Sequence, residues 1–337
     1  MIKEAISKIV SGKSLTEQEA EGVMREIMQG EATDAQIACY LTALRFKGET
    51  VEEITGSARV MREKAVPIKL DAKYQVDTCG TGGDMSHTFN ISTTVAFVVA
   101  GAGVAVAKHG NRSVSSKSGS ADVLQALGVN IEIPSSRIEE CLKEVGIAFL
   151  FAPMMHQAMK YAIGPRREIG IRTLFNILGP LTNPAKVTSQ IMGVYAAELT
   201  SPLAQALGNL GAKHAFVVHG MDGLDEITIT DKTKVSEFVN GKVKDYFIHP
   251  SDFGLAVGKK DDLKGGEAKE NAAITIEVLQ GRKGPRRDIV LLNAAAGLAA
   301  SGKARDFMEG IKVAAESVDS GAAMKKLEEM KAFTNRP

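Results

Sequence analysis

Apolar residues recur at helical spacing along the first 66 residues of the chain. Ile37, Leu41 and Leu44, for example, fall on one face of a helix, as expected of helices that pack on one another. Three segments place Glu or Gln three residues after a threonine, which is the spacing of a capping box at a helix N-terminus. These are Thr16 with Glu19, Thr33 with Gln36, and Thr50 with Glu53. The pattern predicts a small all-helical unit in this part of the chain.

After Pro67, short runs of β-branched residues alternate with alanine-rich helical runs. Such alternation is typical of βαβ units, in which helices cover a mostly parallel central sheet. Strands are predicted at residues 74–78, 104–107, 130–133, 148–151, 190–194 and 215–219, antiparallel strands within 234–247, and helices within 287–332. We therefore predict an α/β fold, with a small all-helical domain at 1–70 and a large α/β domain at 71–337. The stretch 165–185, rich in Arg, Gly and Pro, is predicted to complete the helical domain, and 263–266 to be a mobile surface loop.

A cationic, serine-rich loop is predicted between the strand at 104–107 and the helix that follows it. Lys108, Arg112 and Lys117 supply three permanent positive charges, and glycines and hydroxyl groups surround them. Backbone N–H groups, the dipole of a helix N-terminus and cationic side chains together bind phosphate. His109 lies in the same stretch and is interpreted either as a base or as a hydrogen-bonding loop residue.

A second loop, Gly80-Thr81-Gly82-Gly83-Asp84, follows the predicted strand at 74–78. Its three glycines allow positive φ angles and the close approach of a ligand, although the loop alone is equally well read as a tight turn. Met85 takes the place of the third glycine of a dinucleotide-binding fingerprint, so that motif is excluded. Hydroxyl groups and an amide in residues 88–94 then open an apolar helix, which is a second arrangement suited to an anion.

Asp225 and Glu226 follow the buried strand predicted at 215–219. Adjacent carboxylates are by themselves more often a solvated turn. In an open parallel sheet, however, ligands bind at the carboxyl ends of the strands, which places this pair on the same edge as the two loops. Carboxylate oxygens also suit Mg²⁺ that bridges to phosphates. Together, the loops and the acidic pair predict a site for a polyphosphate with a bound metal.

Three arginines, Arg166, Arg167 and Arg172, lie close together in the stretch 165–185. A guanidinium that faced the cleft would bind a planar carboxylate through two hydrogen bonds. For Arg167 and Arg172, a solvated or salt-bridged surface is the preferred interpretation. His156, in the preceding segment, is interpreted as part of the supporting core.

Composition excludes several other classes of protein. Lys and Arg number 41 against 40 Asp and Glu, so no general attraction to nucleic acid or to a membrane surface is expected. Cys39, Cys79 and Cys141 are odd in number and widely spaced, which argues against a disulfide framework or a zinc site and suits a reducing compartment. The chain shows neither a signal-peptide core nor a run suited to crossing a membrane, so a cytoplasmic protein is expected.

Four segments resemble, in this order along the chain, the motifs of the anthranilate phosphoribosyltransferases of tryptophan biosynthesis. They are the glycine loop with residues 88–94, the loop 108–120, residues 172–184 and residues 222–226. The resemblance covers nearly the whole chain. It implies transfer of the phosphoribosyl group of 5-phosphoribosyl 1-diphosphate to anthranilate with Mg²⁺, and two ions per active site. It also implies a fold of the nucleoside phosphorylase type and a homodimer formed through the helical domains, with no nucleic acid or membrane as a partner.

The resemblance also implies roles for individual residues. Those implied to bind 5-phosphoribosyl 1-diphosphate are Gly80, Gly83, Asp84, Thr88, Asn90, Ile91, Ser92, Thr93, Lys108, His109, Gly110, Asn111, Arg112, Ser113, Val114, Ser115, Ser116 and Ser120. Those implied to bind anthranilate are Gly80, Asn111 and Arg166, and those implied to hold the metal are Ser92, Asp225 and Glu226. Lys108, Asn111 and Arg112 are expected to position the substrates and stabilise charge, without a strong general base.

Two positions depart from the family pattern, and two other functions stay open. Met85 stands where the family often has glycine, and Pro165 lies one place later than the usual proline, so Arg167 remains an alternative to Arg166. The first alternative function is a pyrimidine nucleoside phosphorylase-like enzyme, although the nucleoside-recognition segment of such enzymes is not found. The second is a diverged relative that binds nucleic acid, for which the net charge of +1 gives no support.

Overall fold

The N-terminal part of the chain is helical, as its pattern predicts. The computed structural model describes residues 1–113 and 117–336. The first helices are α1 (Ile2–Val10), α2 (Glu17–Gln29), α3 (Asp34–Lys47) and α4 (Val51–Lys64). All three predicted capping boxes are present. Thr16, Thr33 and Thr50 each accept a hydrogen bond from the backbone N–H three residues later, and the Glu or Gln side chain at that position accepts one from the threonine backbone N–H. Local sequence therefore decides where α2, α3 and α4 begin.

The described residues form one central sheet of seven strands. The strands are β1 (Gln75–Thr78), β2 (Ala105–Gly110), β3 (Ile147–Phe151), β4 (Ser189–Gly193), β5 (His214–Gly220), β6 (Thr233–Val239) and β7 (Lys242–Ile248). Their spatial order is β3-β2-β1-β4-β5-β6-β7. Strands β1 to β5 pair in parallel, whereas β6 and β7 are antiparallel. The predicted fold class, a small helical part with a mostly parallel sheet, is confirmed.

Further helices connect the strands and cover both faces of the sheet. They are α5 (Ile91–Gly101), α6 (Ser120–Ala126), α7 (Ser135–Glu144), α8 (Ala152–Met155), α9 (Lys160–Ile169), α10 (Phe175–Leu178), α11 (Thr200–Asn209), α12 (Ala268–Leu279), α13 (Pro285–Ala300), α14 (Phe307–Asp319) and α15 (Ala322–Thr334). One face of the sheet packs against α5 and α13, and the opposite face packs against α11 at β5 and β6. Because both faces are covered, the parallel strands are buried along most of their length, as is usual for this architecture.

A second hydrophobic core joins the N-terminal helices to the sheet. Their apolar residues pack with α11 and with one face of β4 and β5, where Met192 and Val217 lie. Helix α9 contacts α2 and α3, and the turn of 3₁₀-helix at Gly179–Thr182 contacts α4. These contacts support the proposal that residues 165–185 complete a helical domain of residues 1–70.

Two predicted elements are wrong. Residues 130–133 alternate between exposed and buried side chains, as a strand would. In the described parts of the chain, however, no strand pairs with them, and side chains accept the hydrogen bonds of the backbone N–H groups instead. Asn130 N–H donates to the hydroxyl of Thr334 at 3.1 Å. Residues 263–266 are not a surface loop, because Leu263 is buried and its carbonyl accepts from Phe89 N–H at 3.1 Å. This segment packs instead against the connection that leads into α5.

Cys39, Cys79 and Cys141 are all free thiols. Across the described ranges, the helices are too short or too polar for any of them to cross a membrane.

Candidate active site

The strand order reverses between β1 and β4, because the chain continues toward opposite edges of the sheet after these two neighbouring strands. From β1 the chain continues to β2 and β3, and from β4 it continues to β5. In open α/β sheets, such a switch point at the carboxyl ends of the strands is where ligands bind. The glycine loop follows β1, Tyr195 follows β4, and the Asp225–Glu226 pair follows β5. The sequence-predicted loops therefore meet at one place.

Backbone contacts hold the glycine loop against the ends of β4 and β5. Thr81 N–H donates to the carbonyl of Gly193 at 2.9 Å, and Gly82 N–H donates to Asp225 Oδ2 at 2.8 Å. A Cβ on Gly193 would lie 1.5 Å from the carbonyl oxygen of Asp225, so this position must be glycine for the two segments to meet. Gly193 was not among the predicted site residues, although a glycine at the end of a predicted strand was a usable signal.

The backbone of the glycine loop is left-handed at several residues. Gly82 and Gly83 have φ angles of 66° and 78°, and Met85 has φ of 58°. Glycine adopts this conformation without strain, whereas a residue with a side chain is disfavoured there. Met85, which stands where the family often has glycine, therefore occupies a position whose geometry favours glycine.

Three carboxylates lie together beside the glycine loop. Asp225 N–H donates to Asp84 Oδ2 at 3.4 Å, and Ser92 lies close enough to Glu226 to lower the pKa of its carboxyl. Burial raises the pKa of Asp225 well above its ordinary value, and the charges of Asp84 and Glu226 add to that rise. Burial, partly offset by the charge of Lys108, raises the pKa of Glu226 to about 7. Burial and mutual repulsion thus disfavour the ionised carboxylates, which a bound cation would stabilise.

No group of three or more His, Cys, Asp or Glu side chains in the described ranges is already arranged around a common metal position. Asp225 and Glu226 therefore supply two carboxylates, and the hydroxyl of Ser92 lies next to Glu226. Such a partial set of hard oxygen ligands suits Mg²⁺, which keeps several waters and completes its coordination with phosphate oxygens.

The raised pKa of Glu226 leads to a prediction about stability. Because the folded protein holds this proton up to about pH 7, whereas an unfolded glutamate releases it near its ordinary pKa of 4.5, folding is favoured at low pH. Relative to Glu226→Gln, the wild-type free energy of unfolding should fall by about 3 kcal/mol as pH rises from 5 to 8. Urea unfolding in EDTA measures this difference.

The comparison with Glu226→Gln removes the contribution of the buried His109 and His156, which act in the opposite direction. Burial lowers the pKa of His109 to about 3 and that of His156 to about 4, so these two histidines weaken folding as pH falls below 6.5. A difference between wild type and Glu226→Gln that stayed constant with pH would contradict a raised Glu226 pKa.

Lys108 and His109 lie in β2, so their prediction as loop residues is wrong. The strand continues to Gly110, where a Cβ would meet the hydroxyl of Ser120 and the ring of Phe149. Lys108 is buried, and its ammonium donates to the carbonyl of Thr78 at the end of β1. Its positive charge therefore lies under the acidic cluster and the glycine loop, which is where an anionic ligand would need it.

The imidazole of His109 points away from the loop. Its Nδ1 lies 3.0 Å from the carbonyl oxygen of Gly179, and its Nε2 lies 3.2 Å from Nε2 of His156. Since burial keeps the pKa of His109 at about 3, the ring is neutral and a poor base. Of the two interpretations of His109, hydrogen bonding is the one that this geometry favours. His156 lies in the supporting core, as predicted.

The rest of the cationic loop is tied to the start of α6. Arg112 pairs with Asp122 at 2.9 Å, and Ser120 donates its hydroxyl to the carbonyl of Asn111 at 3.2 Å. Asp122 also accepts from the backbone of Ser113 at 3.2 Å. Val114, Ser115 and Ser116 lie outside the described residues.

The N-terminus of α5 meets the far end of this loop. Asn90 donates its side-chain amide to the carbonyl of Ser118 at 3.1 Å. Thr88 forms a β-bridge with Lys264, and Ile91 opens the helix. The hydroxyl of Thr93 is buried and has no hydrogen-bond partner among the residues that the structure describes. The predicted second anion site therefore adjoins the first.

The three arginines differ in their surroundings. Arg166 is half-buried on α9, and its guanidinium stacks 5.1 Å from the ring centre of Phe175, whereas Arg167 is exposed. Arg166 is therefore held by its surroundings, whereas Arg167 extends into solvent. For Arg172 the preferred interpretation is wrong, because its guanidinium donates to the carbonyl of Gly83 and lies 4.3 Å from the ring centre of Tyr195.

Comparison with known proteins agrees with this two-part architecture. Residues 3–65 match the helical bundle domain of the glycosyl transferase family, and residues 72–324 match its a/b domain. The chain is 57% identical over 335 residues to an anthranilate phosphoribosyltransferase of Symbiobacterium thermophilum, covering 99% of this chain and 98% of the relative. It is 56% identical over 349 residues to one of Geobacter sulfurreducens, covering 99% and 100%.

Solved structures agree as well. An anthranilate phosphoribosyltransferase from Thermus thermophilus superposes with a TM-score of 0.94 at 44% identity, covering 98% of this chain and 99% of that one. The Saccharomyces cerevisiae enzyme in complex with PRPP and Mg superposes with a TM-score of 0.90 at 31% identity, covering 99% and 97%. The chain belongs to the anthranilate phosphoribosyltransferase family and is an enzyme of the glycosyltransferase class.

Proposed function

We propose that this enzyme transfers the 5-phosphoribosyl group from 5-phosphoribosyl 1-diphosphate to the amine of anthranilate and releases diphosphate. This is the second step of tryptophan synthesis from chorismate. The observation that carries the proposal is the meeting of the glycine loop, Lys108 and the acidic pair at the switch point of the sheet. The 57% identity along nearly the full chain supports the same reaction.

The donor would lie across the loops at the carboxyl ends of β1 and β2. The family resemblance assigns it Gly80, Gly83, Asp84, Thr88, Asn90, Ile91, Ser92, Thr93 and residues 108–116 with Ser120. Lys108 would oppose the charge of the departing diphosphate from beneath, and Asn111 and Arg112 would do so from the loop. Arg112 would exchange its contact with Asp122 for the more highly charged phosphate.

The acidic cluster fits Mg²⁺ as the cofactor. Ser92, Asp225 and Glu226 would hold the metal, with two ions per active site. The raised pKa values of the two carboxylates support this role, because burial and the neighbouring carboxylates disfavour ionised forms that a bound cation would stabilise. When bound, Mg²⁺ would neutralise diphosphate and make it a better leaving group. The complex of the yeast enzyme with PRPP and Mg supports this cofactor.

The acceptor would be bound by Gly80, Asn111 and Arg166. Arg166 would hold the carboxylate of anthranilate through two hydrogen bonds, and Asn111 would lie between donor and acceptor. The aryl amine carries a free lone pair at neutral pH, so positioning rather than a strong general base would drive the attack on the ribose. A structure of the yeast enzyme in complex with 4-fluoroanthranilate supports such an acceptor site.

The fluorescence of anthranilate tests the function directly. We expect it to disappear when the enzyme is mixed with 5-phosphoribosyl 1-diphosphate and Mg²⁺, and to persist when EDTA is added first. Phosphorolysis of a pyrimidine nucleoside, or salt-dependent retardation of DNA, would instead support one of the alternatives. Neither alternative is supported by the comparisons, whose named relatives are anthranilate phosphoribosyltransferases.

Assembly and location are also part of the proposal. A homodimer formed through the helical domains would cover Val10 and Phe46, which are 71% and 95% exposed on α1 and α3. Exposed apolar residues of this size favour an interface. The reaction would take place in the cytoplasm, to which three free cysteines are suited.

A further inference from the structure

Arg172 connects the segment that carries Arg166 to the glycine loop. It follows α9 by three residues and lies beside the second hydrophobic core, yet its guanidinium reaches the loop after β1. The other loop contacts described above come from the end of β4 and from the connection after β5, and both strands belong to the same sheet as β1. Arg172 therefore links the proposed acceptor side of the crevice to the proposed donor side.

The contacts of Arg172 are specific to an arginine at this position. One guanidinium nitrogen donates to the carbonyl of Gly83, and a Cβ on Gly83 would lie 3.6 Å from that nitrogen. The same guanidinium lies 4.3 Å from the ring centre of Tyr195, whose backbone N–H donates to the hydroxyl of Thr81 at 3.2 Å. Arg172 and Tyr195 thus hold the two sides of the glycine loop. Neither the carbonyl of Gly83 nor the ring of Tyr195 is negatively charged, so Arg172 forms no ion pair with these two partners.

We propose that Arg172, stacked on Tyr195, is a positioning residue for the donor. It fixes the carbonyl of Gly83, which in turn sets the direction of Asp84 and of the loop that receives 5-phosphoribosyl 1-diphosphate. A planar guanidinium can donate to the carbonyl and stack on the ring at the same time, whereas a lysine ammonium cannot do both. The inference rests on the proposed function, to which it adds a determinant of donor affinity.

The test compares donor and acceptor binding in four variants of the full chain. Arg172→Ala should raise the KM for 5-phosphoribosyl 1-diphosphate roughly tenfold, since it removes a charged hydrogen bond and a cation–π contact, and change the KM for anthranilate less than twofold. Arg172→Lys should restore only part of the donor affinity. Tyr195→Phe, which keeps the ring, should resemble wild type, and Tyr195→Ala should resemble Arg172→Ala.

The double variant shows whether the two residues act together. Arg172→Ala with Tyr195→Ala should bind the donor no more weakly than Arg172→Ala alone, because residues that form one unit are not additive. Glu168→Ala, at an exposed side chain of α9 to which no substrate contact is assigned, is the control and should leave both KM values unchanged. Thermal melts identify any variant that fails to fold, in which case Arg172→Lys carries the test.

Calorimetry separates this inference from the proposed function. Binding of 5-phosphoribosyl 1-diphosphate with Mg²⁺ should weaken roughly tenfold in Arg172→Ala whether or not anthranilate reacts. Equal changes in both KM values, or an unchanged donor affinity, would overturn the positioning role while leaving the transferase reaction intact. If wild type binds the donor but does not consume anthranilate, the proposed reaction fails, and the donor affinity of the variants still decides the role of Arg172.

Discussion

Replacing Asp225 with Asn and Glu226 with Gln together is expected to reduce Mg²⁺-dependent turnover by roughly a thousandfold, a loss of several kcal/mol of transition-state stabilisation. The two carboxylates lie at the end of the glycine loop, where Asp225 already accepts a hydrogen bond from Gly82. Their amide counterparts keep the shape but lose the charge that holds the metal against diphosphate. Initial rates measured across a Mg²⁺ titration test this directly.

Loss of folding would not explain that result. Burial raises the pKa of both carboxylates, which means that their ionised forms destabilise the metal-free protein. The double variant should therefore unfold at the same temperature as wild type or a higher one at pH 8 in EDTA. Asp231→Asn, on an exposed carboxylate in the same connection, should show wild-type turnover. A double variant with an unchanged Mg²⁺ titration would remove the pair from the metal site.

Sequence predicted the elements whose signals are local. The capping boxes at Thr16, Thr33 and Thr50 depend on residues three apart, and all three are present. The alternation of strands and helices likewise predicted the class of fold. Residues 130–133 have the same alternation of buried and exposed side chains as a strand, but pairing depends on a neighbouring strand, and Thr334 satisfies the backbone instead. No pattern within residues 130–133 contains that information.

The candidate site likewise combines features that local sequence predicts with features that depend on residues distant in sequence. The residue types of the glycine loop, the cationic loop and the segment with Asp225 predicted a ligand site. Their positions after strands predicted that they share one edge, because parallel strands end on the same side of a sheet. The end of β2 could not be predicted, because Lys108 is held in the strand by burial and by the distant Thr78. Arg172 was assigned to the surface since its partners, Gly83 and Tyr195, are far away in sequence.

Arg166→Ala is expected to raise the KM for anthranilate about tenfold to a hundredfold, which corresponds to one or two hydrogen bonds to a charged group. The KM for 5-phosphoribosyl 1-diphosphate should change less than threefold, because Lys108 and the glycine loop remain in place. Arg166→Lys should recover a small part of the affinity, since an ammonium cannot bind a carboxylate through two parallel hydrogen bonds. Steady-state kinetics with each substrate varied in turn provide the measurement.

Arg167→Ala is the matched control, because Arg167 is the neighbouring arginine on α9 and its side chain is exposed. If Arg167→Ala raised the anthranilate KM and Arg166→Ala did not, Arg167 would be the arginine that binds anthranilate, which is the alternative that the position of Pro165 leaves open. If Arg166→Ala raised both KM values equally, Arg166 would support the crevice as a whole. The half-buried stacking of Arg166 on Phe175 favours a selective effect of Arg166→Ala on anthranilate, since a guanidinium fixed by a ring keeps its donors directed at one ligand.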